Sequence, residues 1–531
     1  MGTRSNLAAP PLRLTLPPAL PLVLLAAVLG SSTIASAEPW TMTTSSDFNA
    51  RAVMVGTGDV DAGRPLATDP SVVPADKVLE TRLRLGGLVA WTRRSGFLRP
   101  LGFIRSVSLH VQGDLLSGPQ WTDGHSTLMR HDPLEQRPTE VLKQVRLRRG
   151  FVQVDTTLGR IAAGRMVSTW GLGLLAQSGD ADPYQFGIKR DGVIVDRVQF
   201  ATAPLLTFDG ARPSGVPLFI SVAADRVVVD DLAIASNGDE AYNFIGAILY
   251  RGAKVHAGGY AVMRSQTNPK EGSDLRIDAN AYDVYARWAD SVGDWRIEAA
   301  TEWLMLRGET TYFRTASNPD LLKILQFGGV ARITATQGDL GLRLETGLAS
   351  GDDRPFDDTL SNLKFSREYR VGLAMFHEGV RRTTAALAAN LDDPRYLGQA
   401  PTGFDRAATG GSVTGAIYAM PTVRYELFGK RLTLLGAVLW AQAPAPMVDA
   451  YQSGLNGGDA IGPRGGKAST DLGLEVDVAA AWRQPFAKNF AVTVRGDLGN
   501  WMPGAAFDDA AGNSAAAVMV WMGRVELQGS W

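Results

Sequence analysis

The chain has 531 residues, 53 basic and 54 acidic side chains, five histidines and no cysteine. The balanced charge argues against a nucleic-acid partner, which calls for a basic patch or stripe. The missing cysteine excludes a disulfide scaffold, thiol catalysis, thiolate metal sites and an N-terminal lipid anchor.

Residues 1–37 form a secretory leader. Arg4 and Arg13 give a basic start, residues 14–30 an apolar core broken by prolines, and Ala35-Ser36-Ala37 a small-residue cleavage site, so the mature chain begins at Glu38. Beyond the leader no uninterrupted apolar run of about 18 residues offers a spanning helix. Residues 38–78, rich in Thr, Gly, Asp and Pro, form an N-terminal periplasmic segment with a possible first strand near 50–55.

From residue 79 to 531 a period-2 pattern takes over. Leu83, Leu85, Val89 and Trp91 oppose Arg82, Arg84 and Thr92; Val107, Leu109 and Val111 oppose Ser106, Ser108, His110, Gln112 and Asp114. Over 141–155 the apolar parity shifts from Val145 and Leu147 to Val152 and Val154, which predicts a β-bulge around Arg149-Gly150. The same alternation marks 275–281, 295–305, 340–348, 369–375, 422–427, 474–482 and 490–498, with less regular strands near 157–167, 192–203, 216–228, 241–264, 327–337, 383–390 and 430–442. The closing stretch 518–531 alternates Arg524, Glu526, Gln528 and Ser530 with Val525, Leu527, Gly529 and Trp531.

The polar faces carry Arg and Glu in strand after strand, and the apolar faces carry Trp and Tyr near strand ends, as in membrane barrels with aromatic girdles. Short turns at 291–293, 429–430 and 486–488 alternate with long polar connections at 307–326, 349–365, 390–411, 443–470 and 500–515. The pass yields about nineteen candidate strands, and both ends on one side require an even number. The expected fold is therefore all-β: a single closed antiparallel transmembrane β-barrel of about 18 strands, with 20 also allowed, short periplasmic turns and long extracellular loops.

Several patches look like the alginate-export type of outer-membrane barrel and related porin-like barrels. Gly164-Arg165 followed by Trp170-Gly171-Leu172-Gly173 resembles a strand end and loop start of that family, and residues 346–353 (TGLASGDD) a strand running into an acidic loop. Residues 472–477 (LGLEVD), with Trp501-Met502-Pro503-Gly504 and Phe507, resemble its closing strands. The resemblance implies an 18-stranded barrel that moves an anionic solute or polymer. The inward face departs from a strongly cationic lumen: Arg82, Arg84, Arg146, Arg148, Arg276, Arg296, Arg343, Arg370, Arg424, Arg495 and Arg524 stand among Asp278, Glu298, Glu302, Glu345, Glu368, Glu426, Glu475, Asp477, Asp497 and Glu526.

Those eleven arginines are the candidate lumen and selectivity residues. As cross-strand ion pairs they would instead bind neighbouring strands, with Arg495 and Asp497 beside Arg524 and Glu526 as the natural ladder. The cluster Arg82, Arg84, Arg146 and Arg148 has no adjacent acid in sequence and is the best candidate for an anion-attracting stripe. Asp352, Asp353, Asp357 and Asp358 are a possible cation-binding loop, although they lack the spacing of a calcium loop. Ser108 and His110 sit roughly 7 Å apart on an ideal strand, too far for a catalytic dyad without help from another strand. The histidines at 110, 125, 131, 256 and 377 show no metal-ligand spacing, and the Gly-Leu-Gly after Trp170 has no following Lys-Ser/Thr or helix pattern for a phosphate loop.

These features point to a non-enzymatic outer-membrane porin for small hydrophilic, including anionic, solutes or for export of a polar polymer, without cofactor or metal. The alternative is a structural or adhesin-like barrel whose long loops bind a partner, and a third reading is a barrel hydrolase using Ser108 and His110. The expected partners are outer-membrane lipid and lipopolysaccharide, the barrel-insertion machinery through the strand ending at Trp531, and small polar solutes.

Overall fold

The computed structural model describes residues 40–55, 77–92, 102–122 and 145–530, apart from 181, 188–191, 210–211, 234, 236–237, 270–271, 313–320, 355–356, 385–386, 388–408, 450–451 and 454–455. The expected leader, its expected cleavage site and Trp531 lie outside these residues.

Eighteen antiparallel strands form one sheet. The first six are β1 (Trp40–Val55), β2 (Lys77–Thr92), β3 (Ile104–Thr122), β4 (Arg146–Thr156), β5 (Arg160–Ser168) and β6 (Val193–Thr202). A small hairpin, β7 (Leu206–Asp209) and β8 (Arg212–Gly215), stands apart before β9 (Leu218–Val229). The ring continues through β10 (Glu240–Arg251), β11 (Val255–Asn268), β12 (Gly272–Val292), β13 (Trp295–Thr310), β14 (Leu322–Gln337) and β15 (Leu340–Ala349). The dipeptide β16 (Thr359–Leu360) lies parallel to β14. The last strands are β17 (Ala416–Leu427), β18 (Leu432–Met447), β19 (Ser469–Ala487), β20 (Phe490–Pro503) and β21 (Val518–Ser530). β1 pairs with both β2 and β21, so the pairings return to their starting strand.

Ser45 opposite Ser530 places both ends of the strand series at one rim. Connections at that rim include the short turns 157–159, 252–254, 293–294, 338–339 and 488–489, while the opposite rim carries 169–192, 350–415, 448–468 and 504–517. Period-2 geometry then divides the side chains. Val198 is 60% exposed on the outer face and Phe244 64%, whereas the inward Asp114, Glu302 and Glu475 are fully buried.

Several expectations are corrected by this arrangement. The stretch 241–264 is two strands, because 252–254 turn and the Gly252 N–H donates to the Val255 carbonyl at 2.8 Å. The expected strand at 369–375 is absent. Tyr369, Val371, Leu373 and Met375 are buried, but so are Glu368, Gly372 and Ala374 of the opposite parity, and the segment runs into a π-helical turn, Met375–Val380. Alternation loses its meaning where a segment is enclosed on all sides. Thr383 and Thr384, in the expected strand 383–390, are helical and return their hydroxyls to the Gly379 and Val380 carbonyls. Among the described residues, one split candidate and two that form no strand there take about nineteen candidates to the observed eighteen.

The bulge is present one residue earlier than expected. Gln112 pairs with Arg149 and Gly113 with Leu147, leaving Arg148 as the extra residue. Arg276 and Asp278 share the parity of the outward Tyr282 and Val284 and are exposed, whereas Leu275 and Ile277 are buried. The upper end of β12 thus reverses the expected polarity, because its inner face packs on Tyr312.

The interior is packed rather than open. Leu174, Phe186 and the stretch from Leu363 to Val380 form one apolar cluster with inward residues of the wall, among them Leu304, Tyr418, Leu439 and Trp501. Trp501 donates to the Leu472 carbonyl at 2.9 Å and packs edge-on to Phe507. A Cβ at Gly379 would lie 1.9 Å from the Trp501 ring. Gly379→Ala should therefore lower stability by about 1–3 kcal/mol, the usual range for overpacking; denaturant unfolding followed by tryptophan fluorescence measures it.

Candidate functional site

Two segments fold into the barrel, and each is caught by one wall carboxylate. The Glu302 carboxylate, on β13, accepts the backbone N–H groups of Leu172, of Gly173 at 3.0 Å and of Leu174 at 3.2 Å. Glu475, on β19, accepts those of Leu373, Ala374 and Met375 at 2.6, 2.7 and 2.6 Å. Gly171 and Gly372, with φ of 53° and 69°, precede the two turns. A Cβ at either would lie within 3 Å of the same carboxylate. Three converging N–H groups make an anion-binding concavity, filled here by the chain's own glutamate. The Gly-Leu-Gly after Trp170 is thus an anion-binding turn occupied in cis.

The first segment, 169–192, is also held by wall arginines. Arg148 donates to the Ser178 carbonyl at 2.8 Å, Arg495 to that of Gln185 at 2.6 Å and Arg524 to that of Gly187 at 3.4 Å. Arg343 grips Asp182 through two contacts of 2.9 Å and lies over the Tyr184 ring at 4.1 Å, with Arg424 at 6.0 Å from the same ring. Arg332 contacts Asp182 at 3.4 Å and pairs with Glu345 at 2.7 Å. Arg370, Phe186 and Tyr369 share with these groups the lining of a small cavity of about 40 Å³. Burial would raise the Asp182 pKa, but the Arg343 and Arg332 guanidiniums outweigh it and leave the carboxyl below its ordinary value.

The eleven candidate arginines thus separate. Arg148, Arg343, Arg495 and Arg524 dock the 169–192 segment, and Arg370 sits on the second in-folded segment rather than on a strand. Arg84 and Asp114 are cross-strand partners joined at 2.6 and 2.8 Å, and Arg146 is opposite the same aspartate. Arg82 lies on β2 two residues before Arg84, and Arg296 stands exposed near the short-turn end of β13. Arg495 and Arg524 face each other, and their carboxylate partners are Asp497 and Glu526, two residues on along the same strands. Long Arg side chains reach along a strand as readily as across it. Cross-strand pairs occur elsewhere, as in Arg165–Asp196 at 2.8 Å and Arg197–Asp225 at 2.7 Å.

The acidic loop does not converge. Asp352 accepts the Arg354 and Ser361 N–H groups, Asp353 lies 4.0 Å from Arg354, Asp357 accepts the Thr359 N–H and Asp358 pairs with Lys323 at 2.7 Å. Among the described residues no three His, Asp or Glu side chains form a metal-holding group. Ser108 and His110 do meet, with Oγ and Nε2 3.1 Å apart, because side chains lean along the strand. The His110 ring stacks on Phe151.

Toward the long-loop rim lies a larger chamber of about 480 Å³, between β6 and β9–β14 on one side and residues of the 350–415 connection on the other. Asp230 pairs with Arg264 at 2.5 Å and Asp231 with Arg367 at 3.1 Å along its lining. Burial and nearby Arg367 pull the Lys364 pKa down to about 8, with Asp231 opposing them. Tyr184, Lys364 and the Asp230–Asp231 pair went unnoticed in the sequence because they lie in connections without periodicity. The repeated Gly-Leu pairs at 171–172 and 372–373 were the available signal.

No protein-family model matches the sequence, and no curated protein matches it. Several solved structures match over most of the chain. The outer membrane protein OpdK (OccK1) of Pseudomonas aeruginosa has a TM-score of 0.47 and 11% identity, covering 92% of this chain and 99% of that one. OccK11 (OpdR) of the same organism has 0.47 and 10%, covering 93% and 97%. OccAB1 of Acinetobacter baumannii has 0.46 and 10%, covering 92% and 96%. OpdK has been solved with vanillate and OccK2 (OpdF) with glucuronate.

Proposed function

We propose that this chain is an outer-membrane channel for small polar solutes, narrowed by the two segments folded into its lumen. The observation that carries this is the division of side chains across one ring of strands, with exposed apolar residues outside and buried ionic pairs inside. In water the outer face would be a continuous apolar surface far larger than soluble proteins present; in a bilayer it faces hydrocarbon. On this reading the short turns are periplasmic and the long connections face outward. Small solutes are favoured over a polymer because the in-folded segments leave spaces of about 480 and 40 Å³, and a polymer would have to expel both segments. Arg343, Arg424 and Arg370 around Tyr184 would favour anions beside the smaller cavity.

The purified barrel in planar bilayers should show discrete conductance steps and, across a potassium chloride gradient, a reversal potential of the sign for anion preference. A folded barrel giving neither conductance nor solute flux into liposomes would mark a structural barrel. If ions pass beside Lys364, anion preference should fall as pH rises through about 8, where its ammonium loses its charge. Lys364→Met should remove that step while leaving conductance present.

A further inference from the structure

The larger chamber is walled unlike the rest of the lumen. Its barrel side presents Val195, Ile245, Val262, Ile277, Leu306 and Ile324, each at the inward parity of its strand, from β6 and from β10 to β14 in unbroken succession. Phe365 and Val380 face them from the in-folded segment. A wide aqueous pore calls for polar residues at these positions, and on the opposite arc of the barrel inward positions carry Arg424, Asp477, Arg495 and Asp497. Val195 and Ile277 are already packed by the chain itself, on Val227 and Ala233 and on Tyr312; Ile245 and Val262 are only half-buried and gain the stabilisation of burial when something apolar occupies the space before them.

The acids around the chamber are already matched. Asp225 is joined to Arg197, Asp230 to Arg264 and Asp231 to Arg367, while Asp352 accepts backbone N–H groups. Lys364, in the same lining, is offset by the neighbouring Asp231, so a cation meets no open acid and an anion meets one partly compensated ammonium, while either is desolvated against an apolar wall. Two polar atoms of the chamber lining point to a ligand: the buried Asn243 Oδ1, on β10, and the Thr414 Oγ1 have no hydrogen-bond partner.

We infer that the chamber is a binding site for an uncharged, apolar-bodied small molecule carrying a hydroxyl, which donates to Asn243 while its carbon skeleton fills the space between the apolar strand residues and Phe365. A space of about 480 Å³ suits roughly ten to twenty non-hydrogen atoms, within the usual range of ligand sites. The inference rests on the channel reading and narrows it: among polar solutes, the chamber selects amphipathic neutral ones.

Equilibrium dialysis against the full barrel in lipid nanodiscs tests this, with empty nanodiscs subtracted for membrane partitioning and 1-naphthol and 1-naphthoate as probes at pH 7. Saturable 1-naphthol binding, at least tenfold tighter than that of 1-naphthoate, is expected. Val262→Trp, which projects an indole into the chamber, should weaken it at least tenfold, and Asn243→Leu several-fold. Ile277→Asn, a change without added bulk, serves if Val262→Trp does not fold, and heat-modifiability on gels verifies each barrel. Equal or tighter 1-naphthoate binding, no saturable 1-naphthol binding, or full binding by folded chamber variants would overturn the inference. Conductance without 1-naphthol binding sinks the ligand site and spares the channel; binding without conductance does the reverse.

Discussion

Glu475→Ala should raise single-channel conductance several-fold and make the current noisier. The carboxylate is fully buried and is the acceptor for three successive N–H groups at the start of the π-helical turn. Each buried donor left without an acceptor costs about 1–3 kcal/mol, so the turn would be released from the wall by several kcal/mol. The strand ladder around it is untouched, because β19 keeps its backbone pairing to β18 and β20. Glu475→Gln should fall between, since an amide oxygen still accepts while its NH₂ meets further donors. Glu302→Ala should have a parallel effect on the 169–192 segment, and the double variant a larger one than either. Unchanged conductance and noise in Glu475→Ala would mean that apolar packing alone seats the segment.

Asp182→Asn should shift selectivity strongly toward anions. Asp182 is the acid held against Arg343 and Arg332 beside the small cavity between the in-folded segments, and its removal leaves two guanidiniums less compensated there. One such charge roughly 6 Å from a passing ion, at an effective dielectric constant of about 40, contributes about 1.4 kcal/mol, roughly a tenfold change in relative permeability. The pH dependence has a definite sign. Asp182 titrates below its ordinary value of 3.8, so its docking energy is fully present above about that pH and is lost as pH falls through the lower folded value. Wild-type selectivity should therefore be insensitive to Asp182 between pH 7 and 5, and should approach that of Asp182→Asn only in stronger acid. Reversal potentials at pH 7, 5 and 3 for both proteins measure this; convergence already at pH 5 would contradict the carboxylate's stabilisation.

The strand faces were legible because strand alternation is local: Leu342 and Leu344 against Arg343 and Glu345 declare their sides within four residues. The rim asymmetry followed from connection lengths, and the bulge from a parity shift in one strand. The N-terminal ring strand β1, Trp40–Val55, was visible only over its last residues. Legibility failed wherever a segment was enclosed. Tyr369 to Met375 alternates like a strand, yet both parities are buried, and its N–H groups find Glu475 about a hundred residues away in the chain. The grip of Arg495 on Gln185, and of Glu302 on Leu172, spans similarly remote residues.

The sequence by itself thus determined which side of each regular strand faces apolar surroundings, because that choice depends on neighbours two residues apart. Only the tertiary structure decided what fills the interior. Whether an inward arginine lines a pore or seats a loop depends on carbonyls and carboxylates brought to it by closure of the ring. No local periodicity encodes that meeting.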